Sequence, residues 1–156
     1  MKWFIKKILR GTAKALGLLE IYHFLFAWGA SLLYGHPSRK MTVIGVTGTK
    51  GKSTVVEFVN AILTHGGDKV VLSSSNRFQV GEKSWENNTG NTMPGRGFIQ
   101  KLLRDGVMAG AKYGIVEVVS EGVVQDRHKF IDFDIAVFIG LHPEHIESHG
   151  SLENYR

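Results

Sequence analysis

The sequence predicts an α/β fold: a P-loop-type parallel sheet with helices on both faces, preceded by an N-terminal helical extension. Three observations carry this prediction. A short β-branched run, Val43, Ile44 and Val46, is followed at once by a glycine-rich turn and then by apolar residues at helical spacing. Further short apolar runs at 69–72, 113–119 and 134–139 alternate with helical or polar stretches, as they do where crossovers join parallel strands. Finally, 156 residues with 43% hydrophobic and 21% charged residues suit one globular domain and exclude a disordered chain.

Composition removes several function classes. The chain has no cysteine, so disulfides and thiolate metal sites are excluded. Its net charge of +5 is unevenly placed. Residues 1–40 hold seven basic residues against Glu20 alone, a balance of +6; residues 41–156 hold the other twelve basic and thirteen acidic residues, a balance of −1. The chain therefore divides into a basic, apolar helical extension (1–40) and a near-neutral domain (41–156). A nucleic-acid partner is not expected, because such a binder spreads basic residues over its folded part.

In chain order, residues 2–16 read as a basic amphipathic helix. Phe4, Ile5, Ile8, Leu9 and Leu16 lie toward one side, with Lys2, Lys6, Lys7, Arg10 and Lys14 largely on the other. Residues 16–34 are strongly apolar, interrupted only by Glu20 and His23. A signal peptide, a single transmembrane helix, an in-plane or re-entrant anchor on the cytoplasmic face of an anionic membrane, and a helix packed on the domain or on a partner domain all compete for this stretch. An in-plane anchor avoids burying Glu20 in lipid and keeps the domain inside the cell. His36 to Lys40 reads as a short linker, since Pro37 disfavours helix before it.

Strand 43–46 and helix 53–64 flank the loop, and Gly66-Gly67 ends the helix. A second strand spans 69–72, and 78–85 forms a small hairpin turning at Gly81-Glu82. Phe98, Ile99, Leu102, Leu103 and Val107 give a helix over 97–109. A third strand runs 113–119, a short helix or loop 121–130, and a fourth strand 134–139. A polar loop with three histidines, 142–149, precedes a helix start at 151–155.

The chemistry concentrates in Gly45 to Thr54. Strand, glycine loop, Lys-Ser and helix form the architecture of a triphosphate-binding loop. Glycines let backbone N–H groups turn toward phosphate oxygens, and the helix N-terminus adds partial positive charge. Lys52 is placed to reach the β- and γ-phosphates of ATP, and Ser53 to hold Mg²⁺. The usual pattern has Gly where this chain has Val46. Two more polar clusters sit at strand ends, where open α/β sheets place ligands. One is Glu117 to Glu121, whose first carboxylate could hold Mg²⁺. The other is His142 to Gly150, which could serve a metal or acid–base chemistry.

Together these residues resemble the Mur ligase family, which includes the folylpolyglutamate and cyanophycin synthetases. Gly45 to Thr54 resembles its nucleotide loop, and the resemblance accounts for Val46. Thr92-Met93-Pro94, Glu117 to Glu121, Arg127, Phe133 to Phe138, Glu144 to Gly150 and Glu153-Asn154-Tyr155 look most like the branch that adds the third amino acid to a UDP-N-acetylmuramoyl-dipeptide. The resemblance covers residues 42–156 and implies the first part of that family's central ATP-binding domain.

It implies an ATP-dependent ligase that phosphorylates a substrate carboxylate and then joins an amine to it. By position, Gly48, Thr49, Lys50, Gly51, Lys52, Ser53 and Thr54 would hold ATP. Lys52, Glu117 and His145 would be catalytic, with Ser53 and Glu117 on one Mg²⁺ and His145 on a second. Thr92, Ser120 and Arg127 would face the UDP-N-acetylmuramoyl-peptide, and an amino acid would be the second substrate. The chain departs from the family at Gly140, where Asn is usual, at Glu144 and Glu147, where Asp is usual, at Val119 to Glu121, and at Met93. The domain that grips the uridine nucleotide is replaced by the extension. The resemblance further implies the front part of a longer ligase, without turnover by itself. A folylpolyglutamate-synthetase-like ligase and a non-catalytic, membrane-attached nucleotide-binding fragment are the alternatives. The expected location is cytoplasmic, at the inner face of the membrane if the extension attaches there.

Overall fold

In the computed structural model, residues 18–95 and 97–141 are described. The polar loop at 142–149, the helix start at 151–155 and the amphipathic stretch 2–16 lie outside them.

The β-branched run forms β1 (Thr42–Thr47), and the apolar residues beyond the glycine turn form α2 (Lys52–His65). β2 (Val70–Ser73) is followed by the hairpin β3 (Arg77–Val80) and β4 (Lys83–Glu86), which turns at Gly81-Glu82 as the sequence predicts. Then come α3 (Phe98–Met108), β5 (Tyr113–Glu117), the one-turn helix α4 (Ser120–Val124) and β6 (Ile135–Phe138). β5 stops two residues before its apolar run does. The Val118 N–H still donates to the Val46 carbonyl, and the chain then turns into α4.

The strands lie in the order β4-β3-β2-β5-β1-β6. β2, β5, β1 and β6 are mutually parallel, while the hairpin adds two antiparallel strands at one edge. The chain leaves β1 toward β2 on one side and returns from β5 to β6 on the other. The direction of winding therefore reverses around β1, and the crevice outside the carboxyl ends of the strands opens there.

Alternation along the strands separates two cores. Ile44, Val46, Val70, Leu72 and Ile115 face α2 with Val56. Val43, Val71 and Val116 face the other way, onto Ile99, Leu102 and Leu103 of α3. Helices thus cover both faces, as expected for parallel strands buried on both sides. β6 pairs only with β1 among the described residues, and leaves Ile135 and Phe138 exposed.

The apolar stretch before the domain forms α1 (Leu18–Leu33). Its inner side packs on the domain. Ser31 is fully buried and donates to the Phe130 carbonyl, and Phe24 meets Phe130 edge-on at 5.2 Å. Gly97, with φ +75°, lets the helix come close: a methyl there would lie 2.6 Å from Ala30 Cβ. Its outer side carries Leu18, Ile21, Leu25, Trp28 and Leu32 at helical spacing, each about half exposed.

Residues 36–40 are not a free linker. Pro37–Lys40 forms a 3₁₀ turn with Pro37 and Ser38 buried. The Ser38 hydroxyl accepts from the Asp132 N–H, and Arg39 pairs with the Asp132 carboxylate at 2.8 Å. These contacts bridge more than ninety positions, beyond what local composition can reveal.

Candidate functional site

The glycine loop leaves β1 at Thr47 and enters α2 at Lys52, at the switch point. Val46, where the usual motif has glycine, is still within β1. It is fully buried and lies between Glu117 of β5 and Val137 of β6, so a side chain fits that position. Glycine is required further on. Gly48 has φ +141° and lies against the Gly140 carbonyl, while Gly51 takes a left-handed φ of +78° as the residue capping α2. The Thr49 N–H donates to the Gly140 carbonyl at 3.0 Å, which ties the loop to the end of β6. Lys52 folds back over the loop, with Nζ donating to the carbonyls of Gly48 (2.8 Å) and Thr49 (3.1 Å). Lys50 and Thr54 are exposed. A helix N-terminus preceded by a glycine turn, with a lysine above it, suits an anion.

Glu117 ends β5 directly beside β1 and is 2% exposed. Its carboxylate is held by two serines. The Ser75 N–H donates to Oε2 at 2.8 Å, and the hydroxyls of Ser75 (3.0 Å) and Ser53 (3.1 Å) donate to Oε1. Ser75 Oγ also shares a hydrogen bond with Thr92 Oγ1 at 2.9 Å. A continuous polar line therefore runs from the start of α2 through Glu117 and Ser75 to Thr92. Sequence reasoning missed Ser75. The run of three serines at 73–75 was the available signal, but only the fold shows which one reaches the carboxylate.

Thr92 is positioned by two further groups. The Asn87 amide donates to the carbonyls of Ser74 and Asn91, and accepts from Thr89, so it folds the 87–92 loop. Asn87 opens a glycosylation-type sequon, yet its side chain is spent on this turn. Met93 is fully buried, and its Sδ accepts from the Val119 N–H. A methionine in place of the family's polar residue thus belongs to the core.

Arg127 donates to the Met93 carbonyl and the Gln125 side chain, next to Thr92 in the chain. Burial holds its guanidinium below the ordinary arginine value, partly opposed by Glu121. No carboxylate pairs with it among the described residues. Ser120 begins α4 and is part-buried. The structure thus brings together Lys52, Ser53, Glu117 and Thr92, with Ser120 and Arg127 on the segment that follows β5. His145 lies outside the described residues.

Among the described residues, no group of three or more His, Asp and Glu side chains could hold a metal. The Ser53 hydroxyl and Glu117 carboxylate nevertheless give two hard oxygen donors beside the loop, a donor set that fits Mg²⁺ completed by phosphate oxygens and water.

These features define a doubly wound α/β domain with a glycine-loop site at its switch point. The sequence model of the Mur ligase middle domain matches residues 46–156, and the chain belongs to the Mur ligase family. Among curated proteins it is similar to the UDP-N-acetylmuramyl-tripeptide synthetase of Roseiflexus sp. (strain RS-1). The two are 37% identical over 129 residues, covering 81% of this chain and 25% of that protein. It is also similar to the UDP-N-acetylmuramoyl-L-alanyl-D-glutamate–2,6-diaminopimelate ligase of Listeria monocytogenes serotype 4b (strain F2365), at 33% identity over 126 residues, with 81% and 25% covered. A solved structure of a UDP-N-acetylmuramoyl-L-alanyl-D-glutamate–2,6-diaminopimelate ligase superposes with a TM-score of 0.63 and 28% identity, over 74% of this chain and 23% of that one. The chain spans about a quarter of the length of these relatives.

Proposed function

We propose that this chain carries the nucleotide-handling part of an ATP-dependent ligase of peptidoglycan precursor synthesis. The ligase adds an amino acid to a UDP-N-acetylmuramoyl-peptide through an acyl phosphate. The observation that carries this reading is the meeting of Ser53 and Glu117 at 3.1 Å beside the glycine loop, at the switch point of a Mur ligase sheet.

In this reading, N–H groups of residues 48–54 cradle the triphosphate at the start of α2. Lys52 exchanges the carbonyls of Gly48 and Thr49 for β- and γ-phosphate oxygens. Ser53 and Glu117 would hold Mg²⁺, which would offset the charge on the phosphates; His145 would hold a second. Thr92, Ser120 and Arg127 face the muramoyl-peptide. A substrate carboxylate oxygen bonds to the γ-phosphorus and ADP leaves with the electrons of the broken P–O bond. The amine nitrogen then bonds to the acyl carbon, phosphate leaves, and the amine gives up a proton. The chain's residues contribute by positioning and by charge stabilisation.

Titration calorimetry of ATP with Mg²⁺ into residues 1–156 tests the loop, with Lys52→Ala as the comparison. Heat of binding in the wild type alone supports it; equal heats in both proteins remove it.

The reading places the protein in the cytoplasm, with α1 lying in the plane of an anionic membrane at its inner face. α1 has sixteen residues and is about 24 Å long, against a hydrocarbon core of about 30 Å. Among the described residues, no helix is long and apolar enough to cross a membrane. Its outward row of Leu18, Ile21, Leu25, Trp28 and Leu32 is apolar, and the sequence before it is basic. Flotation on anionic vesicles should be lost in a Leu25→Glu, Trp28→Glu double variant. Undiminished flotation would end the membrane reading.

A further inference from the structure

α2 and β3 meet along a row of matched polar pairs. On α2, Ser53, Glu57 and Asn60 are spaced four and three residues apart, which places them on one side of the helix. Ser75 lies just before β3, and Arg77 and Gln79 share one face of that strand. The pairs are made in the same order on both elements. Ser53 and Ser75 both donate to Glu117 Oε1, at 3.1 and 3.0 Å. Arg77 grips Glu57 with two prongs, Nε to Oε1 at 2.9 Å and Nη2 to Oε2 at 2.6 Å. Asn60 Nδ2 donates to Gln79 Oε1 at 3.2 Å. Three or four helix residues rise about 4.5–6 Å and two strand residues about 6.6 Å, so successive pairs stay within side-chain reach.

The pairs are also tied to one another. Arg77 Nη1 donates to Gln79 Oε1 at 2.7 Å and to Ser84 Oγ of β4 at 2.8 Å. Gln79 Nε2 donates to the Gly81 carbonyl at 2.8 Å. Ser74 closes the turn that carries Ser75. Its hydroxyl donates to the Arg77 carbonyl and accepts from the N–H groups of Asn76 and Arg77. Beneath α2, the contacts of Val56, Val70, Leu72 and Ile115 are apolar and have no direction. A bidentate arginine–carboxylate pair, in contrast, fixes both a distance and an angle.

We propose that Arg77 is a positioning residue for the metal end of the site, acting through Glu57 and Ser75 to hold Ser53 and Glu117 in register. The proposal rests on the ligase reading above, in which Ser53 and Glu117 are the Mg²⁺ donors. Those donors come from different elements, the first turn of α2 and the end of β5. Ser75, which turns the Glu117 carboxylate, arrives from a third, the turn between β2 and β3. Glu57 stands one helical turn beyond Ser53, and Arg77 two residues beyond Ser75. The fork therefore joins α2 to the β2–β3 turn just behind the donors. Its side chains are 27% and 33% exposed, so the pair by itself adds little to stability. Loosening it leaves the core in place and lets Ser53 drift from Ser75 and Glu117. The loss falls on the ion that needs both oxygens. The triphosphate is met instead by backbone N–H groups and Lys52, which the fork does not touch.

The test is titration calorimetry of ATP into the full chain, with Mg²⁺ and with EDTA, reading the ratio of the two affinities. Arg77→Gln should lower that ratio by about 5-fold and leave the affinity in EDTA nearly unchanged. Glu57→Gln should lower it in the same direction, and serves if Arg77→Gln fails to fold. In a Glu117→Gln background, Arg77→Gln should subtract nothing further, because the carboxylate it positions is already gone. Equal weakening with and without Mg²⁺ makes the fork a support of the fold alone and overturns the proposal. An additive loss in the Glu117→Gln background overturns it too, as does a ratio unmoved in both single variants. A wild-type ratio near one removes Mg²⁺ from Ser53 and Glu117 and overturns that part of the ligase reading together with the proposal, so the wild type alone tells the two failures apart.

Discussion

Replacing Glu117 separates two roles that one carboxylate combines. The side chain is 2% exposed and accepts from the Ser75 N–H and from the hydroxyls of Ser75 and Ser53. Glu117→Ala removes both acceptor oxygens and with them all three hydrogen bonds. A typical hydrogen bond contributes about 1 kcal/mol net, and a buried donor left unmet costs about 1–3 kcal/mol. The hydroxyls can rotate to other partners but the Ser75 N–H cannot, so the expected loss of stability is about 3 kcal/mol. Glu117→Gln keeps the shape. Its amide oxygen can accept from the N–H, the hydroxyls can turn to accept from the amide NH₂, and the cost should be about 1 kcal/mol or less. Urea denaturation measures both. Calorimetry of ATP with and without Mg²⁺ then measures the charge. The wild type should bind more tightly with Mg²⁺, and Glu117→Gln should lose about ten-fold of that advantage, equivalent to about 1.4 kcal/mol. If the Gln variant binds ATP and Mg²⁺ like the wild type, Glu117 is not a metal-holding residue. If it unfolds as readily as the Ala variant, the hydrogen-bond argument itself is wrong.

Three further outcomes follow from packing and burial. A methyl on Gly106 would lie 1.8 Å from Val71 Cγ2, so Gly106→Ala should cost about 1–3 kcal/mol from overpacking, offset by about 1 kcal/mol of helix propensity. Combined with Val71→Ala it should cost less than the two single changes added, and a more stable Gly106→Ala would contradict the packing. Gly97→Ala should loosen α1, read as faster proteolysis within 18–33 while the urea transition of the domain barely moves; unchanged proteolysis would mean that Gly97 does not set the approach. Burial pushes the His128 imidazole below its ordinary value, with Lys129 adding to the effect and Asp126 and the Gly122 backbone opposing it. The unfolded chain then takes up a proton first as pH falls below about 6.5, so stability should fall from there toward the lower folded value. His128→Gln should flatten that slope in urea midpoints taken between pH 7.5 and 5, and an equal slope would exclude His128 as its source.

Much of the architecture was legible because it is written in short-range order. The run from Val43 through Gly51 to Leu63 gives strand, loop and helix within twenty residues, and Gly81-Glu82 marks the hairpin. Glu117 was legible as a strand-end carboxylate, and its place beside Ser53 follows once β5 pairs with β1. What could not be read depends on residues far apart in the chain. The turn at 37–40 passed for a linker because its anchor, Asp132, lies on a distant segment. Met93 looked like a departure in a binding motif because its burial against Val119 is tertiary. Ser75 carries no mark distinguishing it from Ser73 and Ser74. The hairpin was foreseen, but not its joining the main sheet as two antiparallel strands, since Phe78 and Val80 alternate equally well in isolation.

The protons along the line from Ser53 to Thr92 converge on Glu117, to which both Ser53 and Ser75 donate. Ser75 has a single hydroxyl proton and gives it to Glu117. Its remaining bond, to Thr92, must therefore be one it accepts, so the Thr92 proton is committed inward. Thr92 is left with lone pairs alone for whatever lies beside it. It becomes a polarity filter: an amide N–H or a hydroxyl is welcomed there, and a bare carbonyl is turned away. The negative charge of Glu117 thus sets, through the hydroxyls of Ser75 and Thr92, a chemical preference at the far end of the line.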